Sequence, residues 1–180
     1  MPSIVRDPDS YSERVEPKIS SLFEEHKGKR VIVLQFGDAH VMLACATKGA
    51  EVTGVDFSSE QIRLPRKVAK FCGVNAKLVE ADCQNLPKSI SNSFFDSAVA
   101  AVGIFLWVAN LNTWMRNANH VLRRGGQLLA QDFHPISLVA KDWRAKVKKG
   151  TVVLVKRYLD RSPYIHHQEN NLPPTVYLED

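Results

Sequence analysis

The run from Ala50 to Ser58 combines a short apolar strand, a carboxylate at its end and a helix cap directly after it. Such a run is typical of an open parallel sheet, in which ligands bind beyond the carboxyl ends of the strands. Asp56 ends this strand and is expected to face a ligand crevice, where its carboxylate can accept hydrogen bonds from both hydroxyls of a ribose. A role in capping the next helix is the alternative. The run predicts a parallel α/β fold and a nucleoside-bearing ligand.

Short apolar segments alternate with helix-like segments over most of the chain. The predicted strands cover 30–34, 51–56, 76–79, 96–101 and 127–131, and the predicted helices cover 17–26, 41–47, 58–72 and 113–122. Such alternation requires right-handed crossovers between parallel strands, with helices on both faces of the sheet. We therefore predict a Rossmann-like, doubly wound parallel sheet with the strand order 3-2-1-4-5. Pro65 is expected to kink or shorten its helix.

Composition narrows the classes of protein to consider. A chain of 180 residues with 44% apolar residues can form one domain with a real core, and it has no apolar run of the roughly 20 residues that span a bilayer. The N-terminus lacks the apolar core of a signal peptide. Cys45, Cys72 and Cys83 form neither a paired spacing nor a metal motif. We predict a cytoplasmic protein with reduced thiols, no metal and no membrane partner.

The net charge of +5 is concentrated near the carboxyl terminus. Between Lys141 and Arg161 there are eight Lys and Arg residues against two Asp residues. A basic strip can attract nucleic acid, but no nucleic-acid-binding motif accompanies it, so we interpret the stretch as a solvated basic arm and predict that nucleic acid is not a partner. Strand-like segments at 151–158 and 175–178, with no helix between them, predict that this arm contains β-structure.

The turn after the first strand discriminates between two cofactor classes. Dinucleotides require several glycines, so that bare backbone amides can approach a pyrophosphate. Here the turn is Gln35-Phe36-Gly37, followed by Asp38, and it has one glycine. S-adenosylmethionine carries no phosphate and tolerates such a turn. The sequence of this turn therefore argues against NAD as the cofactor and is compatible with S-adenosylmethionine.

Five motifs in the expected order resemble class I S-adenosylmethionine-dependent methyltransferases of the small-molecule type. The matching segments are 33–35 with 49–58, 79–87, 95–107, 121–129 and 132–135. The resemblance covers roughly 17–135 and implies S-adenosyl-L-methionine as cofactor, a small-molecule methyl acceptor and in-line displacement at the sulfonium methyl. The alternative is a degenerate cofactor-binding or regulatory relative without transferase activity.

The resemblance also implies roles for individual residues. The implied cofactor-binding residues are Gln35, Phe36, Gly37, Asp56, Phe57, Asp82, Cys83 and Ala101. Asp82 would receive the adenine amino group, with the backbone N–H of Cys83 as a second contact. Phe57 would either stack along the adenine or belong to the core. His134 is the candidate catalytic base, since a histidine can take a proton from a nucleophile near neutral pH, and a structural role beside Pro135 is its alternative.

Two departures from the family pattern stand out. Val33, Gln35 and Ala39 occupy the places of the usual acid, which helps to hold the cofactor's ammonium, and of two glycines. The chain also ends before the usual final helix and closing β6–β7 hairpin. We predict a cofactor-binding domain at 1–135 and a basic appended arm or incomplete substrate-side segment at 136–180, with a homodimer through that arm as a candidate assembly. Phe105 and Trp107 either line a substrate pocket or belong to the core.

Overall fold

A five-stranded parallel sheet organises the part of the chain that the computed structural model describes, which is residues 27–37, 39–92, 94–101, 103–134, 164–166 and 175–177. The strands are β1 (Arg30–Leu34), β2 (Glu51–Asp56), β3 (Ala76–Glu80), β4 (Phe95–Ala101) and β5 (Leu122–Gln131). The helices are α1 (His40–Thr47), α2 (Ser59–Cys72), α3 (Lys88–Ser91), α4 (Ile104–Trp107) and α5 (Leu111–His120). The strand order is β3-β2-β1-β4-β5, as predicted.

The centre of the sheet is apolar on both faces. Residues Val31 to Leu34 of β1 are buried, because the strand lies between β2 and β4. Trp114 of α5 is also fully buried. Continuous burial of a central strand is the pattern expected for a parallel sheet covered on both faces. This core fixes the carboxyl ends of β1, β2 and β4 beside one another.

Asp96 joins three strands at the amino end of the sheet. Its Oδ2 accepts a hydrogen bond from the backbone N–H of Arg30, at 2.8 Å, and its Oδ1 accepts one from the guanidinium of Arg123. These donors, first the Arg30 backbone and then the Arg123 side chain, hold the pKa of the Asp96 carboxyl below its usual range. Because these residues belong to β4, β1 and β5, the carboxylate fixes the alignment of three neighbouring strands.

Two helical expectations have definite outcomes. The helix predicted at 58–72 is confirmed as α2, and of the two expectations for Pro65, a kink or a shorter helix, the shortening is wrong, since α2 continues through Pro65 to Cys72. Pro65 is buried on the same helix, where apolar contact offsets the backbone hydrogen bond that it cannot donate. The predicted cap is confirmed, because Ser58 Oγ accepts a hydrogen bond from the Gln61 N–H at 3.4 Å and Gly73 ends the helix in the left-handed conformation. The helix predicted at 17–26 lies outside the described residues.

The last strand of the sheet begins earlier than predicted. It starts at Leu122, which pairs with Phe95, and the register then shifts before Gln127 pairs with Ser97. Gly125, with φ 77°, lies within this irregular stretch. Gly125 and Gly126, which precede the predicted strand at 127–131, are therefore part of a bulged strand.

The chain divides into two units. The first comprises residues up to 101 and 110–131, and the second comprises 102–109 and the residues from 132 onward. In the second unit, β6 (Tyr164–His166) pairs antiparallel with β7 (Thr175–Tyr177), and these two strands form a sheet of their own, whereas the β6–β7 hairpin of the family pattern would close the main sheet. β7 corresponds to the strand predicted at 175–178, β6 was not predicted, and the segment 151–158 lies outside the described residues. None of the described helices has the length and apolar character needed to cross a bilayer.

Candidate functional site

The carboxylate of Asp56 ties the end of β2 to the turn after β1. The residue is 5% exposed, and its Oδ2 accepts a hydrogen bond from the Gly37 N–H at 3.0 Å. Its Oδ1 accepts one from the Ser58 N–H, also at 3.0 Å. A carboxylate has about four acceptor positions, so two bonds leave capacity for two ligand hydroxyls. The side-chain cap of α2 is Ser58, and Asp56 is therefore not needed for that role.

The turn after β1 has three described residues in the left-handed backbone conformation, only one of which is glycine. Gln35 has φ 53° and Ala39 has φ 64°, both in the left-handed region, as has Gly37 with φ 51°. The left-handed conformation costs roughly 1–2 kcal/mol for a residue that has a Cβ. Backbone strain of this kind occurs mainly at functional sites. Gln35 and Ala39 thus hold a backbone conformation that is ordinary only for glycine, at the turn that follows β1.

Phe36 belongs to the core. Its side chain is buried and lies against the backbone of Gly54, where an added Cβ would come within 2.7 Å of the ring and 2.6 Å of the Met42 sulfur. The carbonyl of Phe36 accepts a hydrogen bond from the Ala39 N–H at 2.8 Å, which closes the turn. Of Phe36, only the backbone is therefore left to contact a ligand.

The loop after β3 brings Asp82 and Cys83 towards the same place. Burial raises the pKa of the Cys83 thiol to about 12; a hydrogen bond with the Gln35 backbone lowers it, and the negative charges of Asp56 and Asp82 raise it further. The Cys83 side chain is 4% exposed, so this residue attaches the loop after β3 to the core. Asp82 itself is exposed, and its Oδ1 accepts a hydrogen bond from the Gln84 N–H at 2.8 Å.

Helix α5 holds this loop through two hydrogen bonds that the sequence did not indicate. The amide Nδ2 of Asn117 donates to the Cys83 carbonyl at 2.9 Å. The backbone N–H of Asn110, the N-cap of α5, donates to Gln84 Oε1 at 2.6 Å. Amide side chains in a loop and on a facing helix carry no spacing signal, so only the three-dimensional structure relates them. The helix therefore fixes the loop that carries Asp82.

The two remaining predicted cofactor residues lie at the same ends of the sheet. Phe57 follows Asp56 directly and is 63% exposed, which is inconsistent with the core interpretation of its side chain. Ala101 is half-buried at the end of β4 and pairs with Gln131. The structure thus gathers the predicted residues of the first unit at the carboxyl ends of the strands, which is where parallel α/β sheets bind ligands.

In the second unit, a single carboxylate organises the segment after β4. Asp132 Oδ1 accepts hydrogen bonds from the backbone N–H groups of Gly103 and Phe133, both at 2.7 Å. Its Oδ2 accepts a hydrogen bond from the backbone N–H of Phe105 at 2.8 Å. Phe105 and Phe133 are exposed aromatic residues, as is Trp107. The core interpretation of Phe105 and Trp107 is therefore wrong. Asp132 orders the backbone from which these rings extend.

His134 follows Asp132 closely in the chain and is exposed. Its role as a base stays a prediction. Within the described residues no group of three or more His, Cys, Asp or Glu side chains could hold a metal ion.

Comparison with known proteins identifies the class to which this fold and site belong. A family model described as a methyltransferase domain matches residues 31–126, which is more than half of the chain. The chain belongs to this family, that of the class I S-adenosylmethionine-dependent methyltransferases.

Individual relatives agree with this assignment. The demethylmenaquinone methyltransferase of Thermus thermophilus is 32% identical over 113 residues, which cover 62% of this chain and 50% of that protein. The chain thus spans about half the length of the curated relative that it matches. Two solved structures are similar in fold, and both are S-adenosylmethionine-dependent methyltransferases. One is from Mesorhizobium loti. Its TM-score is 0.64 and its identity 24%, and the alignment covers 87% of this chain and 69% of that protein. The other is from Clostridium acetobutylicum. Its TM-score is 0.61 and its identity 14%, and the alignment covers 91% of this chain and 58% of that protein.

Proposed function

We propose that this chain binds S-adenosyl-L-methionine and transfers its methyl group to a small-molecule acceptor. The observation that carries the proposal is the position of Asp56, whose buried carboxylate is bonded to the turn after β1 and retains acceptor capacity. A nucleoside with two vicinal hydroxyls satisfies that capacity. The family assignment supports the same cofactor.

The residues at the strand ends fit the parts of this cofactor. Asp56 accepts from the ribose hydroxyls, and Asp82, one of whose oxygens is already bonded to the Gln84 N–H, has its other oxygen available for the adenine amino group. The exposed ring of Phe57 offers a stacking face for the adenine. Gly37 and Cys83 supply backbone groups at the same ends of the sheet.

The chemistry requires little of the protein beyond alignment. The bound cofactor supplies a methyl group that is already activated as an electrophile on a sulfonium. The chain therefore contributes proximity, orientation and exclusion of water. His134 accepts the proton that the acceptor atom loses as its bond to the methyl carbon forms.

The acceptor is proposed to be apolar. Eight consecutive residues, 102–109, carry no polar side chain except the indole N–H of Trp107, and Phe105, Trp107 and Phe133 are exposed. The Thermus thermophilus relative is named for demethylmenaquinone. Aromatic compounds of that type are thus the first acceptors to assay.

Calorimetric titration with S-adenosylmethionine and S-adenosylhomocysteine tests the proposal, with NADH as the control ligand. Micromolar binding of the first two alone is the expected result. Failure of a folded chain to bind either compound would reject the proposal. Transfer of a labelled methyl group then tests turnover, and His134→Ala should lower that rate while leaving S-adenosylhomocysteine affinity unchanged.

A degenerate, cofactor-binding relative without turnover is the second candidate. It is favoured by the non-glycine residues Gln35 and Ala39, which hold the turn after β1 in a strained conformation. Cofactor binding together with no methyl transfer to any aromatic acceptor assayed would favour this second candidate.

A further inference from the structure

The side-chain oxygen of Gln35 is a buried acceptor that lacks a hydrogen bond. Oε1 is inaccessible to solvent, and no donor within the described residues reaches it. An unsatisfied buried polar atom costs roughly 1–3 kcal/mol, so native proteins rarely keep one without a reason. A ligand donor that bonds to Oε1 removes this cost, and an orphan acceptor at the end of β1 therefore indicates such a donor.

The backbone of Gln35 is fixed at the end of β1. Its N–H donates to the Val55 carbonyl at 2.8 Å, which extends the pairing of β1 with β2. With φ 53°, the residue is held in a conformation that few residues other than glycine adopt. The side chain thus starts from a backbone position that is determined by the ends of β1 and β2.

The donor groups of the cofactor can be matched with the acceptors at these strand ends. S-adenosylmethionine has three kinds of donor, which are the ribose hydroxyls, the adenine amino group and the α-ammonium. Asp56 and Asp82 suit the first two. The ammonium has no carboxylate at the end of β1, since Val33 and Leu34 there are apolar and buried. Gln35 Oε1 is a side-chain acceptor at the end of β1 that is buried and has no hydrogen bond, and it suits the ammonium.

We propose that Gln35 Oε1 accepts a hydrogen bond from the α-ammonium of the cofactor, so that a neutral amide binds this cation. The inference rests on the proposed function and adds the residue that selects the amino-acid half of the ligand. An amide oxygen forms a charge-assisted hydrogen bond with an ammonium, and the ligand therefore satisfies the orphan atom.

The test compares two ligands and two variants of the full chain. The ligands are S-adenosylhomocysteine and its deaminated analogue, in which hydrogen replaces the amino group. Gln35→Met keeps the approximate length of the side chain and removes the acceptor. Gln35→Gly removes the whole side chain and also relieves the positive-φ strain, so this variant should fold even if the first does not. Calorimetry gives each affinity, and thermal melting confirms that each variant is folded.

We expect both variants to bind S-adenosylhomocysteine about tenfold more weakly than the wild type, the usual scale for a hydrogen bond to a charged group. Affinity for the deaminated analogue should be unchanged. Equal losses for both ligands, or no loss for either, would overturn the inference. A wild-type chain that binds neither ligand would instead reject the proposed function itself, so the two failures are distinguishable.

Discussion

The carboxylate of Asp56 and the backbone N–H of Gly37 are joined by a 3.0 Å hydrogen bond that spans 19 positions of the chain. This bond makes the shape of the turn after β1 depend on the residue that ends β2. The same carboxylate is the proposed acceptor for the ribose. Cofactor binding and the conformation of the turn after β1 therefore both depend on the side chain of Asp56.

Asp56→Ala should weaken binding of S-adenosylhomocysteine by more than about 1 kcal/mol, because it removes an acceptor of hydrogen bonds. It should also lower the melting temperature, since the N–H groups of Gly37 and Ser58 lose their partner. Titration calorimetry and thermal melting measure the two effects. Glu60→Ala, an exposed carboxylate paired only with Arg63 among the described residues, is the control. Unchanged affinity in folded Asp56→Ala would remove the ribose assignment.

Asn117→Ala should reduce S-adenosylhomocysteine affinity although the residue is not proposed to touch the ligand. The change removes the donor to the Cys83 carbonyl and loosens the loop that carries Asp82. A neutral hydrogen bond contributes about 1 kcal/mol, so we expect a loss of roughly fivefold. Asn119→Ala, at an exposed position of the same helix, should bind like the wild type. If both variants bind equally well, α5 does not position the loop.

Gly54→Ala should destabilise the fold by about 1–3 kcal/mol, because the added Cβ would overlap with the buried side chains of Phe36 and Met42. Gly73→Ala is the matched comparison, because an added Cβ there meets no atom within 4 Å and the cost is limited to the positive φ of 67°. Urea unfolding, followed by tryptophan fluorescence, gives both free energies. Gly54→Ala should also weaken S-adenosylhomocysteine binding, since Phe36 forms part of the turn. A Gly54→Ala variant as stable as the wild type would contradict the packing described here.

Thiol reactivity should separate the three cysteines. Burial raises the pKa of Cys45 and of Cys83 to about 12, so both remain protonated and inert towards a disulfide reagent at pH 8. Cys72 is less buried, and it should react first, more slowly than a free thiol because desolvation raises its pKa too. Unfolding in guanidinium chloride should make all three thiols react with the reagent. Rapid modification of three thiols in the folded chain would contradict these environments.

The same shifts predict the direction of the stability change in alkali. Unfolded thiols ionise near the reference pKa of 9.0, whereas the folded thiols stay protonated to about pH 12. The unfolded state therefore binds fewer protons in this window, and the free energy of unfolding falls as the pH rises from 9 towards 12. Cys83→Ala should make this decline shallower than in the wild type. Equal slopes for the two proteins would argue against a buried Cys83.

The sequence predicted the sheet well because its signals are local. Short apolar runs predict β1 to β4 to within one residue at each end, and their alternation with helices predicts a parallel sheet. The start of β5 was missed, because a bulged strand containing Gly125 and Gly126 has the composition of a turn. The expectation that Pro65 shortens α2 considers only its missing backbone N–H. The burial of its ring depends on tertiary packing and cannot be predicted from the sequence.

The site was predictable in its residues and less so in its contacts. Asp56 is positioned by the strand that it ends, so its location follows from the sequence. Other features depend on residues that are distant in the chain. They are the unsatisfied side-chain oxygen of Gln35, the hydrogen bond from Asn117 to the Cys83 carbonyl and the hydrogen bond from the Gly103 N–H to Asp132. Such relationships arise only from tertiary packing.

The Asp96 anchor has a consequence for how this fold can change over time. It fixes β1, β4 and β5 at the amino end of the sheet, the end opposite the one where Asp56 lies. Changes of residue at the ligand end, where Gln35 and Ala39 hold the turn after β1, are therefore compatible with aligned strands. A scaffold secured at one edge leaves the other free to acquire new ligands and new acceptors, which is how one architecture comes to serve many chemistries.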